Sequence, residues 1–215
     1  MHYDAVIFDL DGTLLNTLDD LADSANHALE HCGFPRRTVD EVRSFVGNGV
    51  ALLIHRAVPK GTTPEEEAAC LEEFRQYYLT HMRCKTAPYP GVLELLDDLK
   101  ASGCAVAVVS NKFDAAVKGL CADYFDDRVP VAIGESEGVR KKPAPDTVFR
   151  ALEELGVPAD RAVYVGDSDV DIETARNAGM SCISVSWGFR DTAFLLANGA
   201  RTITANPEAL ARVLA

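Results

Sequence analysis

Short runs of apolar residues alternate with longer segments of helical periodicity along most of this chain. The runs are apolar at every position, which is typical of strands buried on both faces of a parallel sheet. The predicted strands cover residues 5–8, 104–109, 129–133, 162–165, 182–185 and, more weakly, 202–204. The alternation predicts an α/β fold with a Rossmann-like, doubly wound parallel sheet and right-handed crossovers.

One long segment, residues 14–83, breaks this alternation. It shows helical periodicity and no convincing strand, with apolar stripes interrupted at Gly47-Asn48-Gly49 and a further helix opened by Thr63-Pro64-Glu65. Such a block after the first strand predicts an inserted α-helical domain. The core would then consist of residues 1–13, with the first strand, and residues 84–215.

Composition narrows the function classes. The 215 residues carry 21 Lys and Arg against 33 Asp and Glu, a formal net charge of −12. That charge repels a phosphate-coated polymer, so we expect no nucleic-acid partner, whereas a pocket with a local cation can still bind a small anion. We expect no signal peptide and no membrane span. The six cysteines form neither a disulfide framework nor a zinc site, so the default location is the reduced cytoplasm. The oligomeric state stays open.

Polar segments follow three of the predicted strands. The carboxyl ends of parallel strands meet at one edge of an open sheet, where ligands bind. Lys142 precedes the helix that leads into the fourth strand. The three polar segments are Asp9-Leu10-Asp11-Gly12-Thr13, Ser110-Asn111-Lys112 and Gly166-Asp167-Ser168-Asp169-Val170-Asp171.

These residue types suit phosphoryl transfer, which depends on positioning and charge neutralisation. One carboxylate can act as nucleophile and a second can exchange protons. Further carboxylates can hold Mg²⁺, and lysine and hydroxyl groups can hold phosphate oxygens. Asp169 and Asp171 open a helix, and its dipole is a sufficient explanation for Asp169. For Asp171, a metal contact and a structural role stay open.

In this order, four segments resemble those of the haloacid dehalogenase superfamily, and the resemblance covers nearly the whole chain. They are Phe8-Asp9-Leu10-Asp11-Gly12-Thr13, Ser110-Asn111, Lys142-Pro143 and Gly166-Asp167-Ser168. The helical segment at residues 14–83 is similar to the family's inserted small α-helical cap domain. The resemblance implies that Asp9 is the nucleophile and Asp11 the general acid and base. It implies phosphate binding by Thr13, Ser110, Asn111 and Lys142. Mg²⁺ would be held by Asp9, the Asp11 carbonyl and Asp167, with Asp171 as an auxiliary contact.

Within the superfamily, further segments resemble phosphoglycolate phosphatases: Phe45-Val46-Gly47-Asn48-Gly49-Val50 with Arg56, and Ser186-Trp187-Gly188-Phe189. The resemblance implies hydrolysis of a small phosphorylated metabolite, with 2-phosphoglycolate as the leading candidate. Gly47, Asn48 and Gly49 would form a substrate-facing loop or a simple helix break. Arg43 and Arg56 would meet a substrate carboxylate or lie on the helix surface.

Several alternatives remain at this stage. The core segments do not separate 2-phosphoglycolate from nucleoside monophosphates or sugar phosphates, or a hydrolase from a phosphomutase. Dehalogenase and phosphonate-cleaving relatives lack a carboxylate at the position of Asp11, which disfavours both activities. A non-catalytic binding protein on the same fold would usually have lost one of the acidic or lysine residues, and all are present here.

Overall fold

A computed structural model describes residues 2–215 of the chain. They divide into two compact units. One contains the residues up to Leu15 together with Pro88–Ala215, and the other is Asn16–Ala87. The sequence prediction placed the helical segment at residues 14–83, so the observed helical unit begins two residues later and ends four residues later. Its role as a cap stays a prediction.

The larger unit contains a six-stranded parallel sheet in the order β5-β4-β1-β6-β7-β8. The chain leaves this unit at β2 and returns at β3, two strands of two residues each. The strands are β1 (Ala5–Phe8), β2 (Leu15–Asn16), β3 (Ala87–Pro88), β4 (Ala105–Phe113), β5 (Val131–Glu135), β6 (Ala162–Gly166), β7 (Ser181–Val185) and β8 (Thr202–Thr204). This order confirms the Rossmann-like α/β fold.

Two strands differ from their predicted bounds. β5 begins two residues later than predicted, because Pro130 has no N–H to donate and stands just before the strand. β4 continues through the polar residues that follow its apolar run and ends at Phe113. From Val109 to Phe113 this strand advances four positions, whereas its neighbour β5 advances only two, from Ile133 to Glu135. This irregularity lies at the carboxyl end of β4.

The helical unit contains α1 (Leu18–His31), α2 (Val39–Phe45), α3 (Val50–Ala57) and α4 (Pro64–His81). Thr38 and Thr63 each begin a helix with a capping box, in which the threonine hydroxyl accepts a backbone N–H and a glutamate returns to the threonine N–H. Asp20 accepts hydrogen bonds from the N–H groups of Lys85 and Thr86, which ties the last residues of this unit to α1.

The remaining helices cover the sheet of the larger unit. They are α5 (Val92–Ala101), α6 (Asp114–Tyr124), α7 (Asp146–Leu155), α8 (Asp169–Asn177), α9 (Thr192–Ala197) and α10 (Pro207–Leu214). One face of the sheet forms a continuous core in which Ile7, Val109 and Ile133 pack with Val148 and Leu152 of α7. Burial of this kind stabilises by about 25 cal/mol per Å² of apolar surface, and it fixes the strand ends that carry the polar residues.

All six cysteines are free thiols, as the sequence predicted. Within residues 2–215, every helix is too short or too polar to span a lipid bilayer.

Candidate active site

The register of the central strands brings the polar segments together. Phe8, the last residue of β1, lies opposite Val108 of β4 and Val165 of β6. The residues that follow these strands therefore share one edge of the sheet, at the point where the strand order reverses. The N–H of Asp9 extends the pairing by donating to the Val165 carbonyl at 2.9 Å.

A tight turn follows Asp9 and holds the backbone of Asp11. The N–H groups of Leu14 and Leu15 both donate to the Leu10 carbonyl at 3.0 Å, and the N–H of Gly12 donates to the Leu15 carbonyl at 2.9 Å. Gly12 has a φ of 87°, and a Cβ atom there would overlap the carboxylate of Asp167. Only glycine allows this close approach.

Lys142 is the cation at the centre of the site. Its side chain is buried, and its Nζ lies 2.8 Å from Asp9 Oδ1, 2.8 Å from Asp171 Oδ1 and 3.0 Å from the Tyr164 hydroxyl. Burial alone would lower the pKa of this ammonium group. The carboxylates of Asp171 and Asp9 outweigh burial and hold the Lys142 pKa well above its ordinary value.

Asp171 is fully buried and uses both carboxylate oxygens on protein donors. Its Oδ1 accepts from Lys142 and from the Tyr164 hydroxyl. Its Oδ2 accepts from the N–H of Ser168 at 3.1 Å and from the Ser168 hydroxyl at 2.6 Å. A Cβ atom on Gly166 would overlap this carboxylate. These contacts make Asp171 the residue that holds Lys142 beside Asp9.

Burial raises the pKa of Asp9 to about 7. The Lys142 ammonium opposes this rise, and the nearby Asp171 carboxylate adds to it. Burial also holds the pKa of Asp167 well above its ordinary value, and the charges of Asp171 and Asp9 act in the same direction. Carboxylates crowded in this way favour their protonated forms unless another cation joins them.

Asp167 is held from the loop that follows β7. Its Oδ2 accepts the N–H of Phe189 at 2.6 Å. A Cβ atom on Gly188 would lie within 2.5 Å of the same oxygen, so the loop backbone reaches the carboxylate only because this residue is glycine. Trp187 fixes the loop further by donating its indole N–H to the Thr13 carbonyl at 3.0 Å.

The carboxylates fit a divalent cation. Ligand oxygens of Asp9, Asp167 and Asp171 lie within 4.8 Å of one another, and all three residues are buried. With Asp11, four carboxylates face the two ammonium groups of Lys112 and Lys142, which leaves a formal excess of two negative charges. Hard oxygen donors with this excess charge suit Mg²⁺. Since Asp171 is occupied by Lys142, Tyr164 and Ser168, Asp9 and Asp167 are the better candidate ligands.

The predicted phosphate-binding residues lie beside these groups but have structural partners of their own. The Asn111 amide donates to the Lys142 carbonyl at 3.0 Å, and the Ser110 hydroxyl accepts from the N–H of Lys112 at 3.2 Å. Thr13 has no exposed surface, and its hydroxyl has no hydrogen-bond partner among residues 2–215. Direct contact between this hydroxyl and phosphate would therefore require the turn to open. Phosphate binding by these residues stays a prediction.

Two site residues had no role in the sequence prediction. Lys112 is buried, and its Nζ lies 2.9 Å from Asp11 Oδ1. Its position next to Ser110-Asn111 was the signal that could have identified it. Tyr164 was placed only in an apolar strand, yet its hydroxyl joins Lys142 to Asp171. A buried tyrosine usually needs such a partner, and this requirement was the available signal.

The predicted substrate residues of the helical unit form a local structure. Arg56 donates to the Phe45 carbonyl at 2.9 Å, and Arg43 pairs with Asp40 at 3.0 Å on α2. Gly47 and Gly49 have φ values of 122° and 88°, and Asn48 lies between them in the connection from α2 to α3. The glycines therefore serve the helix break, and a contact of these residues with substrate stays a prediction.

Comparison with known proteins agrees with this geometry. Residues 6–185 match the family described as haloacid dehalogenase-like hydrolase. The chain is 33% identical to a phosphoglycolate phosphatase of Chromobacterium violaceum over 90% of each chain. It is 34% identical to one of Aquifex aeolicus over 86% of this chain and 85% of that one. A crystal structure of a candidate phosphoglycolate phosphatase from Lactobacillus delbrueckii subsp. bulgaricus superposes with a TM-score of 0.95 at 38% identity, covering 100% and 99% of the two chains. The chain therefore belongs to the haloacid dehalogenase-like hydrolases.

Proposed function

We propose that this hydrolase is a magnesium-dependent phosphatase that cleaves 2-phosphoglycolate through an aspartyl-phosphate on Asp9. The observation that carries the proposal is the buried Asp9 carboxylate, which is joined to Lys142 at 2.8 Å and lies within 4.8 Å of two further carboxylates. A carboxylate held beside a lysine and a cation site has both a nucleophilic oxygen and the positive charge that phosphate needs.

The first half of the reaction transfers the phosphoryl group to the protein. An Asp9 oxygen forms a bond to phosphorus while the bond to the leaving oxygen breaks, and the Asp11 carboxyl gives its proton to that oxygen. Lys142 keeps the Asp9 carboxylate oriented and offers its ammonium to the phosphate. Mg²⁺ held by Asp9 and Asp167 would supply the remaining positive charge at the phosphate.

The second half releases phosphate. A water oxygen bonds to phosphorus, the Asp9–phosphorus bond breaks, and the water proton passes to Asp11. Asp11 thus ends in the protonation state in which it began, and the net reaction is hydrolysis of one ester bond. Its side chain is 11% exposed, so it can meet both the leaving oxygen and the incoming water.

The choice of 2-phosphoglycolate rests on the relatives named as phosphoglycolate phosphatases and on the chain coverage they share with this protein. The proposal includes a role for the helical unit, residues 16–87, as the cap that selects the leaving group. Within it, Arg43 and Arg56 are the arginines proposed to meet the substrate carboxylate, and both can be tested by substitution.

The test is phosphate release from 2-phosphoglycolate, a nucleoside monophosphate and a sugar phosphate, each with Mg²⁺ and with EDTA. We expect Mg²⁺-dependent release with the highest kcat/KM on 2-phosphoglycolate, and no release by Asp9→Asn. Asp169→Asn is the matched control, because Asp169 opens α8 in the same segment without joining the buried carboxylates. Preference for another ester would refute the substrate, and turnover by Asp9→Asn would refute the nucleophile.

A further inference from the structure

A second buried lysine lies in the site, and the reaction steps above do not use it. Lys112 and Asp11 have side chains that are 2% and 11% exposed, and their charged atoms lie 2.9 Å apart. Burying an ammonium group costs free energy unless an opposite charge pairs with it, so the Asp11 carboxylate accounts for the buried position of Lys112. The site thus contains two buried lysines with different partners: Lys142 contacts Asp9 and Asp171, and Lys112 contacts Asp11.

The backbone at the carboxyl end of β4 fixes the position of Lys112 beside Asp11. Lys112 lies in the irregular end of β4, where residues 110–112 stand between two paired positions that only Gly134 separates in β5. Irregularities of this kind change the direction of side chains and occur next to active sites. A Cβ atom on Gly134 would lie 2.7 Å from the Lys112 carbonyl, so a glycine in β5 is needed for this path. The N–H of Lys112 is held by the Ser110 hydroxyl.

The turn that carries Asp11 does not need Lys112 for its own structure. Backbone hydrogen bonds among Leu10, Gly12, Leu14 and Leu15 already fix the path of the chain. These bonds involve backbone atoms and do not themselves orient the Asp11 side chain. The Lys112 ammonium contacts one carboxylate oxygen of Asp11 at 2.9 Å and is placed to orient it.

We propose that Lys112 is a positioning residue, which holds the Asp11 carboxyl where it exchanges protons with the leaving oxygen and then with water. This inference rests on the proposed phosphatase function and deepens it. The two lysines then have different roles. Lys142 orients the nucleophile Asp9 and binds the phosphate, whereas Lys112 orients Asp11 for proton transfer. A misplaced general acid costs most when the leaving group needs a proton, and that dependence distinguishes positioning from general structural support.

The test compares kcat/KM for an alkyl phosphate and for p-nitrophenyl phosphate in Lys112→Met. The constant kcat/KM reports steps up to phosphorylation of Asp9, and p-nitrophenolate leaves without a proton. We expect a loss of about 100-fold or more on the alkyl ester, because general acid catalysis contributes roughly 10²–10⁴-fold, and a loss below about 10-fold on the aryl ester. Lys112→Arg should recover part of the loss on the alkyl ester.

Two controls keep the result specific. Lys118→Met removes an exposed lysine of α6 that pairs with Asp114, and it should leave both constants unchanged. In an Asp11→Asn background, Lys112→Met should change neither constant further, because its effect passes through Asp11. Lys112→Gln supports the same comparison if Lys112→Met does not fold.

Equal losses on the two esters, or a further loss in the Asp11→Asn background, would overturn the positioning role of Lys112. The proposed function fails differently. If the wild-type protein cleaves other alkyl phosphates but not 2-phosphoglycolate, the substrate is wrong and the Lys112 comparison still stands on the ester that is cleaved. If Asp9→Asn cleaves both esters, the nucleophile is wrong.

Discussion

Replacing Asp9 by asparagine should make the metal-free protein more stable while it removes activity. Asp9 is held in the folded protein with a pKa of about 7, because burial disfavours its charge more than Lys142 supports it. Asparagine has nearly the same shape and no charge, so it resembles the protonated carboxyl. The variant therefore keeps the geometry of the site and removes the cost of ionising Asp9.

The magnitude follows from the change in pKa on folding. Because the folded pKa of Asp9 lies above the ordinary value of 3.8, its contribution to stability is present at low pH and is lost as pH rises towards 7. The full loss corresponds to up to roughly 4 kcal/mol by pH 8, of which somewhat under half has already occurred at pH 5. We expect the advantage of Asp9→Asn over the wild type to grow by roughly 2–3 kcal/mol between pH 5 and pH 8.

The assay is urea unfolding of both proteins at pH 5 and pH 8 in EDTA, repeated at pH 8 with Mg²⁺. Mg²⁺ should stabilise the wild type and have less effect on the variant, since Asp9 is a proposed ligand. Asp4→Asn is the control, because folding lowers the pKa of Asp4, whereas it raises that of Asp9. The Arg161 hydrogen bond lowers the pKa of the exposed Asp4, so this variant should gain no stability at pH 8. An Asp9→Asn protein that is no more stable than the wild type at pH 8, or equally favoured at both pH values, would refute the reasoning.

Two further substitutions test the same electrostatic arrangement. Lys142→Met should reduce kcat/KM by about 100-fold or more and lower the free energy of unfolding at pH 8 by roughly 3–5 kcal/mol, because it leaves Asp9 and Asp171 buried without their cation. Unchanged stability in urea would contradict this account. Gly188→Ala should weaken Mg²⁺ activation by about 10–100-fold, because the added methyl displaces the Asp167 carboxylate. A Mg²⁺ titration of activity that matches the wild type would exclude that role for the loop.

The fold was largely predictable because its signal is local. Runs that are apolar throughout mark β1, β6 and β7 within one residue of their observed ends. The prediction was less accurate where polar chemistry enters a strand. β4 was expected to stop at residue 109, since Ser110-Asn111-Lys112 ended its apolar run, yet the strand continues to Phe113 with an irregular register. Candidate site residues here occupy a strand end that apolar periodicity cannot delimit.

The sequence named Asp9, Lys142 and Asp167, which the structure brings together, but it assigned no role to Lys112 or Tyr164. Asp9 and Lys142 were both named through the family resemblance, and the structure places their charged atoms 2.8 Å apart across 133 positions of sequence. Asp171 stayed open because a carboxylate at the start of a helix can serve the helix, a metal or a neighbour. Only the side-chain hydrogen bonds of the folded chain show that it meets Lys142, Tyr164 and Ser168 at once.

Asp9 and Asp11 have identical side chains but different partners, which fits the different steps proposed for them. Asp9 follows the buried strand β1 and lies beside Lys142 among other carboxylates, whereas Asp11 lies in the turn beside Lys112. Because each ammonium group contacts a different one of these two carboxyl groups, each lysine can orient one of them without the other. Replacing either lysine should therefore affect a different step, and neither should substitute for the other.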